Sequence, residues 1–271
     1  MARFGEGGDV KHVVMFSGGV GSWMAARRVV EQHGTDGVVL LFTDTLVEDA
    51  DLHRFLDEAA VDVGAPLVKI AEGRTPFEVF RDVRYLGNSR IAPCSRVLKQ
   101  EPARKWVDAN APGARLYVGI DWTEVHRLAP VVKNWKPYEI EAPLCRAPYL
   151  DKRQIIDELG RRGIKAPRLY AEGFPHNNCG GVCVRAGQAQ FAHLLRVRPE
   201  SYRIAEEQEL EWQGAIGSDA TILRDRTGGD TKPMTLRAFR HGIEAGAQPD
   251  LFGFGGCGCF VDAETPDARD R

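Results

Sequence analysis

No stretch of this sequence approaches the roughly 20 apolar residues that a membrane-crossing helix needs. The opening residues, Met1-Ala2-Arg3-Phe4, carry no apolar segment of the kind that directs export. A cytoplasmic location with no membrane partner is the expectation. Charge of one sign is also lacking: 36 Lys and Arg stand against 38 Asp and Glu, a net charge of −2. Such a balance gives no global attraction to nucleic acid, so any contact of that kind has to rest on a local basic patch. Cysteine is sparse, with six in 271 residues. With no export signal, that count argues against a disulfide framework. What remains is the profile of a globular protein, 43% hydrophobic and 27% charged, long enough to bury a full core.

Within this background one string stands out, Val13-Val14-Met15-Phe16-Ser17-Gly18-Gly19-Val20-Gly21-Ser22. Four apolar residues stop at Ser-Gly-Gly, and Trp23, Met24, Ala25, Ala26, Val29 and Val30 continue at helical spacing. The pattern predicts a buried strand, a tight glycine turn and a helix. Glycine lets backbone N–H groups approach a ligand, and a helix N-terminus attracts an anion. Ser17 and Ser22 each have a hydroxyl to donate to it. No Gly-Lys-Ser or Gly-Lys-Thr ends the string, so it is not a Walker loop.

Further along, Gly37–Phe42 predicts a second buried strand that ends at Asp44, either a cap for the following helix or a residue beside a ligand. A helix over Asp49–Val63, a strand at Leu67–Ile70 and a helix opened by Thr75-Pro76 come next, then a helix over Ser95–Asn110 and a strand at Leu116–Ile120. Alternation of this kind predicts an α/β fold with a doubly wound, mostly parallel sheet. Residues 1–150 are expected to form this domain and 151–262 a C-terminal helical region that includes the cysteine pairs, with 263–271 a frayed tail. Asp151 starts a capping-box helix, and Arg153, Arg161, Arg162, Lys165 and Arg168 make the most basic run of the chain, either a solvated face or a nucleic-acid contact. Helices are expected over Gln188–Arg196, Pro199–Glu211 and Thr235–Gly242, with a turn-rich stretch from Trp212 to Thr231.

Cys94 sits at the start of a helix, a position that favours thiolate. Cys179 and Cys183, and Cys257 and Cys259, come as close pairs among small residues, which lets the backbone aim both sulfurs at one metal. Cys145 lies among prolines and reads as structural. Two metal sites compete: a 4Fe–4S cluster on Cys94, Cys179, Cys183 and one of Cys257 or Cys259, or a structural zinc on Cys179, Cys183, Cys257 and Cys259.

Ser17–Ser22 resembles the PP-loop, Ser-Gly-Gly-x-x-Ser, of the ATP pyrophosphatases and of the phosphoadenosine phosphosulfate (PAPS) reductase family, within the adenine nucleotide α-hydrolase superfamily. Cys94-Ser95-x-x-Leu98-Lys99-x-x-Pro102 is similar to the cysteine segment of the iron–sulfur sulfonucleotide reductases. Gly119-Ile120-x-x-x-Glu124-x-x-Arg127 is similar to a segment of the PAPS-reductase-like group. The resemblance implies adenine-nucleotide binding, as ATP or PAPS, by Ser17, Gly18, Gly19, Val20, Gly21, Ser22 and Asp44, with magnesium a further candidate ion. It implies catalytic parts for Cys94, Lys99 and Arg127. Where many ATP pyrophosphatases carry Asp before the last serine, this chain has Gly21.

Two chemistries follow from the resemblance. In one, ATP is split at the α-phosphate to activate an acceptor such as tRNA or DNA, and sulfur from a cysteine desulfurase or another donor replaces AMP. In the other, a cysteine attacks the sulfur of PAPS or adenosine phosphosulfate. The reductases' C-terminal Glu-Cys-Gly-x-His is absent, since the tail reads Gly256-Cys257-Gly258-Cys259-Phe260, and this favours the first. A nucleotide-sensing module without catalysis is a third reading.

Overall fold

Val13, Val14 and Met15 of β1 (His12–Met15) are buried because the strand is flanked on both edges and covered on both faces. A continuous apolar run is what such a central parallel strand requires. The structure, a computed structural model, describes residues 10–226 and 231–250. On one side β1 pairs in parallel with β2 (Val38–Asp44), Val14 opposite Leu40. On the other it pairs in parallel with β4 (Arg115–Tyr117), Val14 opposite Tyr117. With β3 (Leu67–Ala71) and β5 (Ile140–Glu141) the sheet order is β3-β2-β1-β4-β5. The chain moves outward from β1 through β2 to β3 and then returns to β4. The gap between β1 and β4 is therefore the topological switch point, where open α/β sheets place their ligand crevice. The expected α/β fold with a mostly parallel sheet is what forms.

The chain divides into two compact units. One holds the residues up to Thr43, Ala50–Ile70 and Glu101–Pro167. It contains most of the sheet with α1 (Val20–His33), α2 (Ala50–Val63), α4 (Glu101–Asn110), α5 (Leu128–Asn134) and α6 (Lys152–Arg161). Trp23 of α1 is fully buried and donates its indole N–H to Asp62 at 3.0 Å. Burying such a side chain is worth about 3 kcal/mol or less. Asp151 caps α6 through the expected capping box with Gln154. This division differs from a single boundary after residue 150, because α6 packs on α1 of the first unit.

The second unit holds Asp44–Asp49, Ala71–Gln100 and the described residues from Arg168 onward. Its helices are α3 (Pro76–Asp82), α7 (Arg168–Ala171), α8 (Gln188–Val197), α9 (Pro199–Ile216) and α10 (Leu236–Glu244). Phe77, Phe80, Phe191, Leu194, Tyr202 and Trp212 form its core. The stretch expected to be turns beyond Glu211 differs. Helix α9 runs on to Ile216, stops at Gly217 in the left-handed region (φ 71°), and a hairpin of β6 (Leu223–Asp225) and β7 (Lys232–Met234) follows. Glu209 of α9 holds these parts together, accepting the amides of Ile222 at 2.8 Å and Leu236 at 2.6 Å.

Candidate functional site

The predicted strand, glycine turn and helix form as one connection at the carboxyl end of β1. Gly18 has φ 75°, and a Cβ there would lie 2.9 Å from Cγ of Leu52, so both the conformation and the space demand glycine. Gly19 caps α1 with no side-chain hydrogen bond, and the first turn contains no acidic residue. The positive end of the helix is thus not neutralised by its own side chains. Ser22 is buried and donates its hydroxyl to the Gly19 carbonyl at 2.7 Å. The hydroxyl expected to reach an anion is used here to hold the loop's own shape. Across the switch point, Gly119 follows β4 and lies against the loop: a Cβ on Gly119 would sit 2.8 Å from the Ser22 nitrogen, and one on Gly21 3.1 Å from the Gly119 oxygen. A side chain at 21 would therefore crowd the Gly119 carbonyl.

Arg127 and Glu124 lie on a 3₁₀ helix, Trp122–Arg127, capped by Asp121 after β4. They form an ion pair with each other. Cys145 donates its thiol to the Ile120 carbonyl at 3.5 Å and burial pushes its pKa up, in keeping with a structural part. In the basic run, Arg161 and Arg162 pair with Glu158, Arg162 also with Asp62, and Arg168 with Asp49. Arg153 and Lys165 are exposed. Much of the run's charge is therefore already matched.

In the second unit, Asp44 at the end of β2 accepts the amide of Leu46, a residue with φ 62°, at 2.8 Å. It shapes a turn instead of capping the following helix. That turn delivers Glu48, whose side chain is 1% exposed. Glu48 accepts the Thr45 hydroxyl at 3.0 Å and the Cys179 amide, and its Oε1 lies 3.3 Å from Nζ of Lys99, itself only 6% exposed. Glu48 was not among the expected site residues. Thr45-Leu46-Val47-Glu48 has the Thr-x-x-Glu form of a capping box and gave a signal that could have found it.

Lys99 belongs to a π-helical turn, Ser95–Gln100, that runs into α4. A regular α-helix was expected throughout. Pro102 has no N–H for the Leu98 carbonyl and its ring crowds it, so a wider turn relieves the clash. Cys94 precedes this turn and packs against the same apolar cluster as Cys183. Cys179 has φ 51° and is followed by Gly180 and Gly181 at positive φ, a hook that turns its thiol inward. The Cys179 pKa is raised well above the ordinary thiol range, first by a hydrogen bond with Cys183, then by burial and by Glu48, while Lys99 opposes the rise. Among the described residues no group of three or more His, Cys, Asp or Glu side chains is arranged to hold a metal ion. Cys257 and Cys259, the second expected pair, lie outside the described residues, as does the tail from 263.

No family model and no curated protein matches the sequence. Solved structures that resemble the chain include PAPS reductase from Candida auris in a phosphate complex, at 16% identity and a TM-score of 0.42, covering 62% of this chain and 80% of that one. The NH3-dependent NAD synthetase of Campylobacter jejuni gives 10% identity and a TM-score of 0.39 over 77% of this chain and 84% of that one. The U34-tRNA thiolase NcsA of Methanococcus maripaludis, with its 4Fe–4S cluster, gives 12% identity and a TM-score of 0.43 over 96% of this chain and 82% of that one.

Proposed function

We propose that the protein is an ATP pyrophosphatase of the PP-loop kind that adenylylates an acceptor for sulfur transfer. One observation carries the reading. Ser17–Ser22 is a glycine turn that joins β1 to α1 at the switch point of a parallel sheet, with no acidic residue in the first turn of the helix and with Gly119 packed on the Ser22 backbone. That is a cradle for a polyphosphate.

In the reaction, an acceptor oxygen attacks the α-phosphorus of ATP and the bond to the β-phosphate breaks. Pyrophosphate leaves and the acceptor carries AMP on that oxygen; hydrosulfide from a sulfur donor then attacks the activated atom, the bond to oxygen breaks, and the oxygen leaves with AMP. The positive end of α1 would stabilise the leaving pyrophosphate, and Arg127, held in place by Glu124, would offset the developing charge. Magnesium would share that charge. Lys99 is assigned to the thiol side, since its Nζ lies 3.3 Å from Glu48, which also accepts the Cys179 amide. Cys179 and Cys183 are adjacent and fit half of a four-sulfur site. Cys94 with one of Cys257 or Cys259 would complete a 4Fe–4S cluster, and both of the latter a zinc site. Such a centre would bind or deliver sulfur.

Incubation with α-labelled ATP and bulk tRNA or DNA is expected to yield labelled AMP and pyrophosphate, not ADP. Sulfite from PAPS and a thiol reductant, with ATP left intact, would instead establish sulfonucleotide reduction. Nucleotide binding with neither product would mark a sensing module.

A further inference from the structure

Three of the exposed large hydrophobic side chains, Trp122, Val125 and Tyr149, come from just two loops, those that leave the carboxyl ends of neighbouring strands β4 and β5. Trp122 is 46% and Tyr149 58% exposed, and their rings meet with centroids 6.0 Å apart at 59°. This pair is held in place. The Trp122 indole N–H donates to the Leu150 carbonyl at 3.3 Å, which fixes the ring and leaves much of its surface in water. Arg28 of α1 donates to the carbonyls of Pro143 and Arg146 at 2.9 Å and to that of Pro148, pinning the segment that ends in Tyr149. The Cys145 thiol bonds to Ile120 and ties the two loops to each other.

Position gives the pair its meaning. Gly119 packs on the Ser22 amide, and Trp122 is three residues further on, at most roughly 11 Å along even a fully extended chain. Basic residues lie near the pair in sequence: Arg153, exposed on α6, is four positions after Tyr149, and Arg146, 62% exposed and paired with Glu141, is three before it. Rigid aromatic faces with cations beside them are what binds unstacked bases of single-stranded nucleic acid.

We infer that Trp122 and Tyr149 form a stacking platform for an unpaired base of a nucleic-acid acceptor, next to the phosphate loop. The inference rests on the proposed activation of an acceptor and names its class: single-stranded, or looped out of a duplex. Stacking selects the unpaired base, and the neighbouring cations hold the backbone. The platform supplies binding and orientation only, so no bond changes at these two residues.

Fluorescence anisotropy with a labelled single-stranded oligonucleotide, about a dozen pyrimidines long, reads the platform directly. Trp122→Ala and Tyr149→Ala should each weaken binding about five- to hundredfold, and Trp122→Phe should recover most of the loss. Arg153→Gln should instead lower the salt dependence. A blunt duplex of the same sequence should bind more weakly than the single strand. Equal affinity of wild type and both alanine variants, or no binding of the single strand by wild type, overturns the inference. The second result would leave the aromatic pair to a protein partner. Should Trp122→Ala not fold, Tyr149→Ala and Trp122→Phe carry the test. Calorimetric titration of the wild-type chain with ATP alone scores the nucleotide reading separately.

Discussion

Gly119 lies so close to Ser22 that a single methyl group on it would sit 2.8 Å from the Ser22 nitrogen and 2.9 Å from its Cα. Both atoms are backbone, at the start of the helix that faces the proposed phosphates, and neither can swing aside. Strand β4 and the loop after β1 thus fix each other at the switch point of the sheet.

Gly119→Ala is expected to displace the start of α1, at a cost in stability of about 1–3 kcal/mol, and to weaken ATP binding at least tenfold. Gly21→Ala, whose Cβ would meet the Gly119 oxygen at 3.1 Å, should do the same to a smaller degree. Thermal melting and calorimetric ATP titration give both quantities. Full ATP affinity in Gly119→Ala would separate this contact from nucleotide binding.

A buried ion pair makes a different prediction. Replacing Glu48 with Gln removes the carboxylate 3.3 Å from the buried Lys99 ammonium, at a cost of about 3–5 kcal/mol. The double variant Glu48→Gln with Lys99→Met should recover much of that loss, since two neutral groups need no pairing. Denaturant unfolding of the four proteins yields the coupling directly. Simple additivity would mean that the two groups do not act as a pair.

The strand, the glycine turn and the helix were readable because each has its own signal: an apolar run, a Ser-Gly-Gly and a 3.6-residue period. Asp151 announced its helix by a capping box and Thr75-Pro76 by a proline at the first helical position; the Asp151 box forms, and the structure adds one at Thr75. Strand β5 escaped notice because two residues, Ile140 and Glu141, are too few to show a period. The two units interleave along the chain, so a search for one boundary had nothing to find. Glu48 went unremarked because Thr45-x-x-Glu48 reads as a cap, while its burial against Lys99 and Cys179 depends on segments distant in sequence.

Glu209 gives the pH prediction. Burial pushes its pKa up to about 7, against the two amide hydrogen bonds that favour the charged form. A folded-state pKa above the unfolded value means that the native protein binds the extra proton between roughly pH 4.5 and 7. The stability from this group is therefore full below that window and is lost as pH rises through it, by up to about 1.4 kcal/mol per pH unit. Glu209→Gln should remove that part of the slope and leave the oppositely shifted Glu206, held low by Arg240 and Arg237, unchanged. Urea midpoints at pH 5, 6 and 7 check it. An identical slope in both proteins would place the titration elsewhere.

The proposed thiol centre can be tested, because its two alternatives differ at Cys94. Cys179 and Cys183 are hydrogen-bonded free thiols that belong to both proposed sites, so alanine at either should strip the metal whichever site is present. Cys94 packs against the apolar cluster that also receives Cys183, and it is a ligand only of the cluster. Protein purified without oxygen should therefore separate the alternatives by iron, sulfide and zinc content. With a 4Fe–4S cluster, Cys94→Ala loses iron, sulfide and the brown colour together. With zinc on Cys179, Cys183, Cys257 and Cys259, the same variant keeps one equivalent of zinc and loses only activity. Neither metal in wild type, with Cys179 and Cys183 recovered as free thiols, would remove the metal centre from the proposal and leave the nucleotide loop to stand without it.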